Sequence, residues 1–213
     1  FTLLALTISY TMNAQMSDYS EGTSATGSNA VAMGKSTTAS GSRSTAMGGD
    51  STASGDFSVA MGRGTTASGT NSTAMGSGTI ASGNNSSAMG YYTTASGHKT
   101  TAMGANTTAS DYASLVIGQF NSSGSSVTNN ATSYNTANTA FVIGNGTDSS
   151  NKSDAFKVMF NGDTTISNDL TVSGDIVISS DARLKSNIVS LGSTLAKLLQ
   201  IDGKSYEMKG KQK

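Results

Sequence analysis

The chain has no cysteine, no proline and no tryptophan. Without cysteine no disulfide framework can form, and nothing indicates the redox compartment. Charge is scarce too: 12% of residues are charged, with 13 Lys and Arg against 13 Asp and Glu. A net charge of zero removes any bulk electrostatic case for nucleic acid or a membrane surface as partner. The apolar run over residues 1–10 is far short of the roughly 20 residues that span a bilayer. Thr, Ser, Ala, Gly and Asn dominate what is left, a composition that alone reads as low-complexity or disordered.

A strict repeat overrules that reading. Ala-Met-Gly recurs every 14 residues, ending at Gly34, Gly48, Gly62, Gly76, Gly90 and Gly104, and Val116-Ile117-Gly118 closes the series. Half a period out of phase runs Ala-Ser-Gly, ending at Gly41, Gly55, Gly69, Gly83 and Gly97. A disordered chain has no physical reason to keep Met in register over so many copies. Self-similarity at a short fixed period without insertions signals a β-solenoid, here with glycine punctuating each half-turn.

Strand alternation assigns the faces of one coil. Thr45 and Met47 share one face, and Ala46 and Gly48 share the other. Ala39 and Gly41 make an equivalent small face on the second half. A 14-residue coil with two strands of about five residues and two tight turns has a lumen too narrow for more than Ala and Gly. The ladders Ala46, Ala60, Ala74, Ala88, Ala102 and Ala39, Ala53, Ala67, Ala81, Ala95, Ala109 are therefore expected inside. That turns Met33, Met47, Met61, Met75, Met89, Met103 and Ile117 outward as a stripe of roughly 30 Å at about 4.8 Å per coil. An apolar stripe of that length marks an interface. Since every coil offers the same residue, identical stripes on sister chains are its natural cover, which predicts a homo-oligomer.

These repeats resemble the head of the YadA-like trimeric autotransporter adhesins. Ser58-Val59-Ala60-Met61-Gly62 and Ser72-Thr73-Ala74-Met75-Gly76 match one half-motif of that family, and Ser51-Thr52-Ala53-Ser54-Gly55 matches the other. Met stands where the family usually has Ile, keeping the volume but loosening side-chain specification. The resemblance spans residues 22–118 and implies a left-handed parallel β-roll, trimerised about its long axis and displayed on a surface stalk. Its implied partners are two sister chains and a host-surface or matrix glycan or protein.

Beyond the head, the beat dissolves between Gln119 and Thr139 into a loop or neck, followed by one more coil-like segment, Ala140 to Gly144. Asn145-Gly146 and Asn161-Gly162 are turn signals. The strand-like runs Ala155 to Phe160 and Leu170 to Ile178 suggest a β-rich shaft intertwined among three chains, completing a neck-and-shaft region over 119–179. Residues 181–213 are basic, with Leu184, Ile188, Leu191, Leu195 and Leu198 at helical heptad spacing, which predicts a short α-helical piece.

Ser180-Asp181-Ala182-Arg183-Leu184-Lys185-Ser186-Asn187-Ile188 looks like the opening of the intramolecular chaperone domain that ends phage endosialidases, tail spikes and many surface fibres, and Ile201 to Lys209 fits its continuation. That resemblance implies a domain over 180–213 that assists trimer assembly and then cuts itself off. It implies Ser180 as nucleophile, Lys185 as the base and Ser179–Ser180 as the scissile bond. A lysine serves as base only where burial or neighbouring charge depresses its pKa. At the other end, residues 1–14 look like the apolar and cleavage regions of a secretory signal peptide truncated at its start, with Ala14 at the cut and 15–21 as the mature N-terminus. Export to the cell surface follows from that expectation.

Other signals carry less. His98 is the single histidine and sits at a turn between coils. The Met ladder is better explained by same-face packing than by soft-metal binding, and Asp50, Asp56 and Asp111 are too sparse for a calcium-binding roll. No metal, cofactor or turnover chemistry is expected. Exposed turn residues that vary between coils, Arg43, Phe57, Arg63, Tyr91, Tyr92, His98 and Lys99, are the candidates for ligand specificity. Two alternatives stand beside the adhesin reading. A phage-type tail fibre shares the C-terminal motif. An ice-binding solenoid would use the stacked Thr38, Thr52, Thr66, Thr94 and Thr108 beside Thr37, Thr65, Thr93 and Thr107.

Overall fold

The computed structural model describes residues 15–16 and 22–174. The expected leader over 1–14, the helical piece over 181–213, and Ser180 and Lys185 lie outside the described residues. Those described are all-β, without a helix among them.

Two parallel sheets run the length of a solenoid. The longer has seven five-residue strands, one per coil: Val31–Lys35, Thr45–Gly49, Val59–Arg63, Thr73–Ser77, Ser87–Tyr91, Thr101–Ala105 and Leu115–Gln119. A two-residue strand, Gln15–Met16, precedes them, pairing with Ala32 and Met33. The shorter sheet stacks seven two-residue strands, from Ser24–Ala25 to Thr108–Ala109. The second half-coil is thus two residues of strand where about five are expected. Its Ala-Ser-Gly beat enters a turn at once, because glycine there packs against the next coil. A Cβ on Gly69 would stand 2.1 Å from the carbonyl oxygen of Gly83.

The repeat stacks without slippage: Ala46 pairs with Ala60, Met47 with Met61 and Gly48 with Gly62. Both alanine ladders are fully buried in one core, as strand alternation requires. The lumen holds more than Ala and Gly, however. Ser44, Ser58, Ser72, Ser86 and the rank Thr37, Ser51, Thr65, Thr79, Thr93, Thr107 are also buried. Several of these hydroxyls bond locally: Thr100 Oγ1 donates to the Gly97 carbonyl (2.7 Å), and Thr65 Oγ1 to Ser51 Oγ (2.9 Å). Others, including Ser44, Ser58 and Ser72, have no partner. Small hydroxyl side chains fit a narrow lumen by volume, and that outweighs the roughly 1–3 kcal/mol cost of an unpaired buried polar group.

Gly48 and its counterparts correct the strand alternation. They do not share the inner face with Ala46. Gly62 has φ +130° and is half-buried, and a Cβ there would meet the Gly76 carbonyl oxygen at 1.9 Å. The strand therefore bends at this residue instead of continuing its pleat. Each coil then reverses through residues in the left-handed region, among them Arg43, Asp50, Phe57 and Tyr92. Their amides donate to carbonyls one coil back, as Asp50 N does to Lys35 O (2.9 Å) and Tyr92 N to Ser77 O (2.8 Å). Stacking satisfies the turn's own polar groups.

The coil-like segment after the loop forms as expected. Thr139–Asn145 adds parallel to Leu115–Gln119, with Ile143 opposite Ile117 and Val142 opposite Val116. Asp154–Met159 and Thr164–Ile166 then join antiparallel, reversed at Asn161-Gly162. These strands pair within one chain, with Asp154–Met159 half-buried and Thr164–Ile166 exposed. The strand expected from Leu170 is absent over residues 170–174, and the rest of it lies outside the described residues.

Candidate functional site

The outward face of the longer sheet is built as its alternation demands. Met33, Met47, Met61, Met75, Met89 and Met103 stack in register, each half-buried, and Ile117 continues the row. Ile143 extends it by a further rung. Phe156 lies opposite Ile143, and its ring is 5.9 Å from that of Phe141. Eight rungs from Met33 to Ile143 span roughly 34 Å at about 4.8 Å each. Beside the Met row run Val31, Thr45, Val59, Thr73, Ser87 and Thr101, also half-buried, then Leu115, which is exposed. The face is continuous and uncharged, because Met stands at one position over six coils with small or β-branched residues at the other, and Ile117, Ile143, Leu115 and Phe141 continue the two rows.

The turn residues are divided between the two edges of the roll. On the edge before each five-residue strand, the Arg43 guanidinium stands 5.2 Å over the Phe57 ring. Lys99 likewise lies 5.2 Å over Tyr112 and donates from Nζ to its hydroxyl (2.8 Å). On the edge after the strand stand Arg63, Tyr91 and Tyr92, the two tyrosines edge-to-face at 4.6 Å. The candidate specificity residues thus form two separate patches. His98 is half-buried at a turn, its amide donating to Ala131 O.

Sequence reasoning missed the polar knot that closes the repeat. Asp111 replaces the recurring glycine and is fully buried, its carboxylate accepting from the Thr128 and Thr139 amides (2.6 and 2.8 Å). Asn121 holds the Thr108 amide and carbonyl (2.8 and 2.9 Å), ending the short sheet in place of another coil. Asn138 brackets Asn130 from the far side of the loop. The signal was present at Ala109-Ser110-Asp111: an acid where the period demands glycine.

Nothing among the described residues gathers three His, Cys, Asp or Glu as a metal group. Asp148 is occupied by its own loop. The Asn151 side chain, then the Ser150 and Asn151 amides, hold its carboxyl below the ordinary value. No described helix is long and apolar enough to cross a membrane. The ice-binding array is absent: Thr37, Thr65, Thr93 and Thr107 point into the lumen, leaving Thr38 and its stack as a single outward rank. Neighbouring residues on a strand face opposite ways, so the two ranks share no surface.

Comparison with known families agrees with the repeat and the terminal motif. The YadA head domain repeat matches residues 25–51, 39–65, 67–93 and 95–121. The family described as chaperone of endosialidase matches residues 180–213. No curated protein matches the chain significantly. The chain thus carries a parallel solenoid of YadA head repeats, followed at residues 180–213 by a chaperone-of-endosialidase segment.

Proposed function

We propose that the chain is the head and shaft of a secreted, trimeric surface fibre with a structural and adhesive role. In this reading the roll is left-handed, and three copies meet along the Met stripe about the long axis. The observation that carries it is the 34 Å apolar face, about seven steps of 4.8 Å, left uncovered within one chain. The YadA repeats support a trimer, since heads of that family typically assemble as three. Light scattering after size exclusion tests it on the full chain: three times the chain's mass is expected. A stable folded monomer would leave the stripe without a function and end the reading.

The C-terminal segment assists assembly and then releases itself. Ser180 Oγ attacks the carbonyl carbon of Ser179 while Lys185 takes the hydroxyl proton and passes it to the departing Ser180 nitrogen. The Ser179–Ser180 amide becomes an ester on Ser180 Oγ, which water then hydrolyses to free the two pieces. Lys185 acts as base with its pKa lowered by burial or neighbouring charge. In the protein expressed from its natural source, Ser180→Ala should abolish a cut before residue 180 while trimers still form. A band pattern unchanged on a denaturing gel would remove Ser180 from the mechanism.

A tail fibre of phage type is the second reading, favoured by the chaperone-of-endosialidase match alone. The two differ in export. A processed N-terminus at residue 15 on secreted protein supports the adhesin, and retention of residues 1–14 in assembled fibres supports the tail fibre.

A further inference from the structure

The turn edge that follows each five-residue strand contains a gap. Asp50, Gly64, Gly78 and Tyr92 occupy equivalent left-handed points on four successive coils, with φ of 55°, 63°, 64° and 49°. Two side chains are missing in the middle of an otherwise continuous ladder. Three coil steps of about 4.8 Å put the Asp50 and Tyr92 backbones roughly 14 Å apart. The space between is a cleft of about 270 Å³ lined by Asp50, Arg63, Gly64, Ser77, Gly78 and Tyr92.

Its two glycines are used differently. A Cβ on Gly78 would lie 2.7 Å from Cδ1 and Cε1 of Tyr92, so the phenol ring covers that glycine. A Cβ on Gly64 would meet nothing within 4 Å, so the floor there is open. Tyr91 holds the Tyr92 ring from the side, edge-to-face at 4.6 Å.

The left-handed turn itself is common to the coils and takes Arg43, Phe57 and Lys99 as readily as Asn71, Asn85 and Asn106. What the core does not use is the Tyr92 ring, which remains 55% exposed beside a Tyr91 that is 54% exposed. An exposed aromatic face beside an open, polar-lined floor is a surface a ligand can occupy.

We propose that this cleft is a subsite for one ring of a neutral glycan. It deepens the adhesive reading above and rests on it for its biological setting. A pyranose offers an apolar C–H face and a rim of hydroxyls. The face packs on the Tyr92 ring, as aromatic side chains with an apolar body and a polar tip allow. The rim meets acceptor oxygens on Asp50, guanidinium donors on Arg63 and the two-way hydroxyl of Ser77. Arg63 and Asp50 cancel in charge, which selects against a strongly acidic or basic ligand. In the proposed trimer the subsite occurs three times, so weak single contacts add by multivalency.

The substitution Gly64→Asn fills the open floor without strain, because φ +63° is asparagine's own region and no atom stands in the way. Tyr92→Asn removes the ring, and Asn85→Gly, at an exposed left-handed position on the other edge, is the control. The full chain and these variants are applied to a printed array of neutral and sialylated glycans, with adhesion to cultured cells measured in parallel. We expect Gly64→Asn and Tyr92→Asn to lose about tenfold in retention on neutral glycans, with unchanged melting, and Asn85→Gly to match the unsubstituted chain. Equal retention by Gly64→Asn overturns the subsite, and so does retention of sialylated glycans alone. A blank array with cell adhesion intact also overturns it and leaves the adhesive reading standing. Absence of cell adhesion with neutral glycans still captured at Gly64 refutes the adhesive setting and keeps the subsite.

Discussion

Gly62 and Gly49 both lie in the strands of the longer sheet, yet the roll asks different things of them. At Gly62 the backbone has φ +130°, and a Cβ would stand 1.9 Å from a carbonyl oxygen of the next coil. At Gly49 a Cβ would meet nothing within 4 Å. Gly62→Ala must therefore both strain the backbone and push two coils apart, and should cost about 3 kcal/mol or more. Gly49→Ala should stay within about 0.5 kcal/mol of the parent. Denaturant unfolding of the two variants side by side measures the difference. Equal stabilities would mean that coil spacing is not set by glycine contact. The same contact accounts for the rigid period, since any side chain in either glycine ladder would open the stack.

At the scale of elements, the roll ends where its glycine beat does. Asp111 ends the second beat, and its carboxylate is spent on the amides of Thr128 and Thr139. Residues 120–138 are thereby tied down as a cap, and Thr139 is positioned to begin the next parallel strand. Asp111→Ala would leave two amides without an acceptor, at about 1–3 kcal/mol for each group that stays buried. Hydrogen exchange should then quicken across 121–139 while Thr45–Gly49 and its neighbours keep their protection. Uniform quickening along the whole roll would show that the cap and the coils unfold as one unit. The short strands follow a related logic. Two paired residues per coil suffice for the second sheet, because the turns on either side also bond from coil to coil.

At the scale of the whole molecule, the proposed trimer rests on the Met face. Its ladder is in register over every coil, so one charge has little effect while two on adjacent coils break the row. If three copies meet there, Met61→Asp combined with Met75→Asp should give monomers by light scattering, with the coils still folded by circular dichroism. Oligomers surviving both changes would place the interface elsewhere.

Much of this architecture was legible in the residues. Ala46 and Ala39 are inside and Met47 is outside because side chains alternate on a strand and a short coil encloses little volume. The half-motifs likewise carried the family resemblance. Less legible were the bend at Gly48, the inward turn of Thr37, and the cleft at Gly64. Each depends on what lies one coil away, and no local pattern records that neighbour. Ser180 and Lys185 were legible only as a motif. Composition and period by themselves determined a stacked parallel solenoid with an apolar outer stripe, since a 14-residue beat of small residues has no other way to pair its backbone. Tertiary structure alone decided which glycines are steric, that Asp111 closes the stack, and that Gly64 and Gly78 open a gap beside Tyr92. Those are contacts between coils, set by distances of a few ångströms that sequence spacing does not encode.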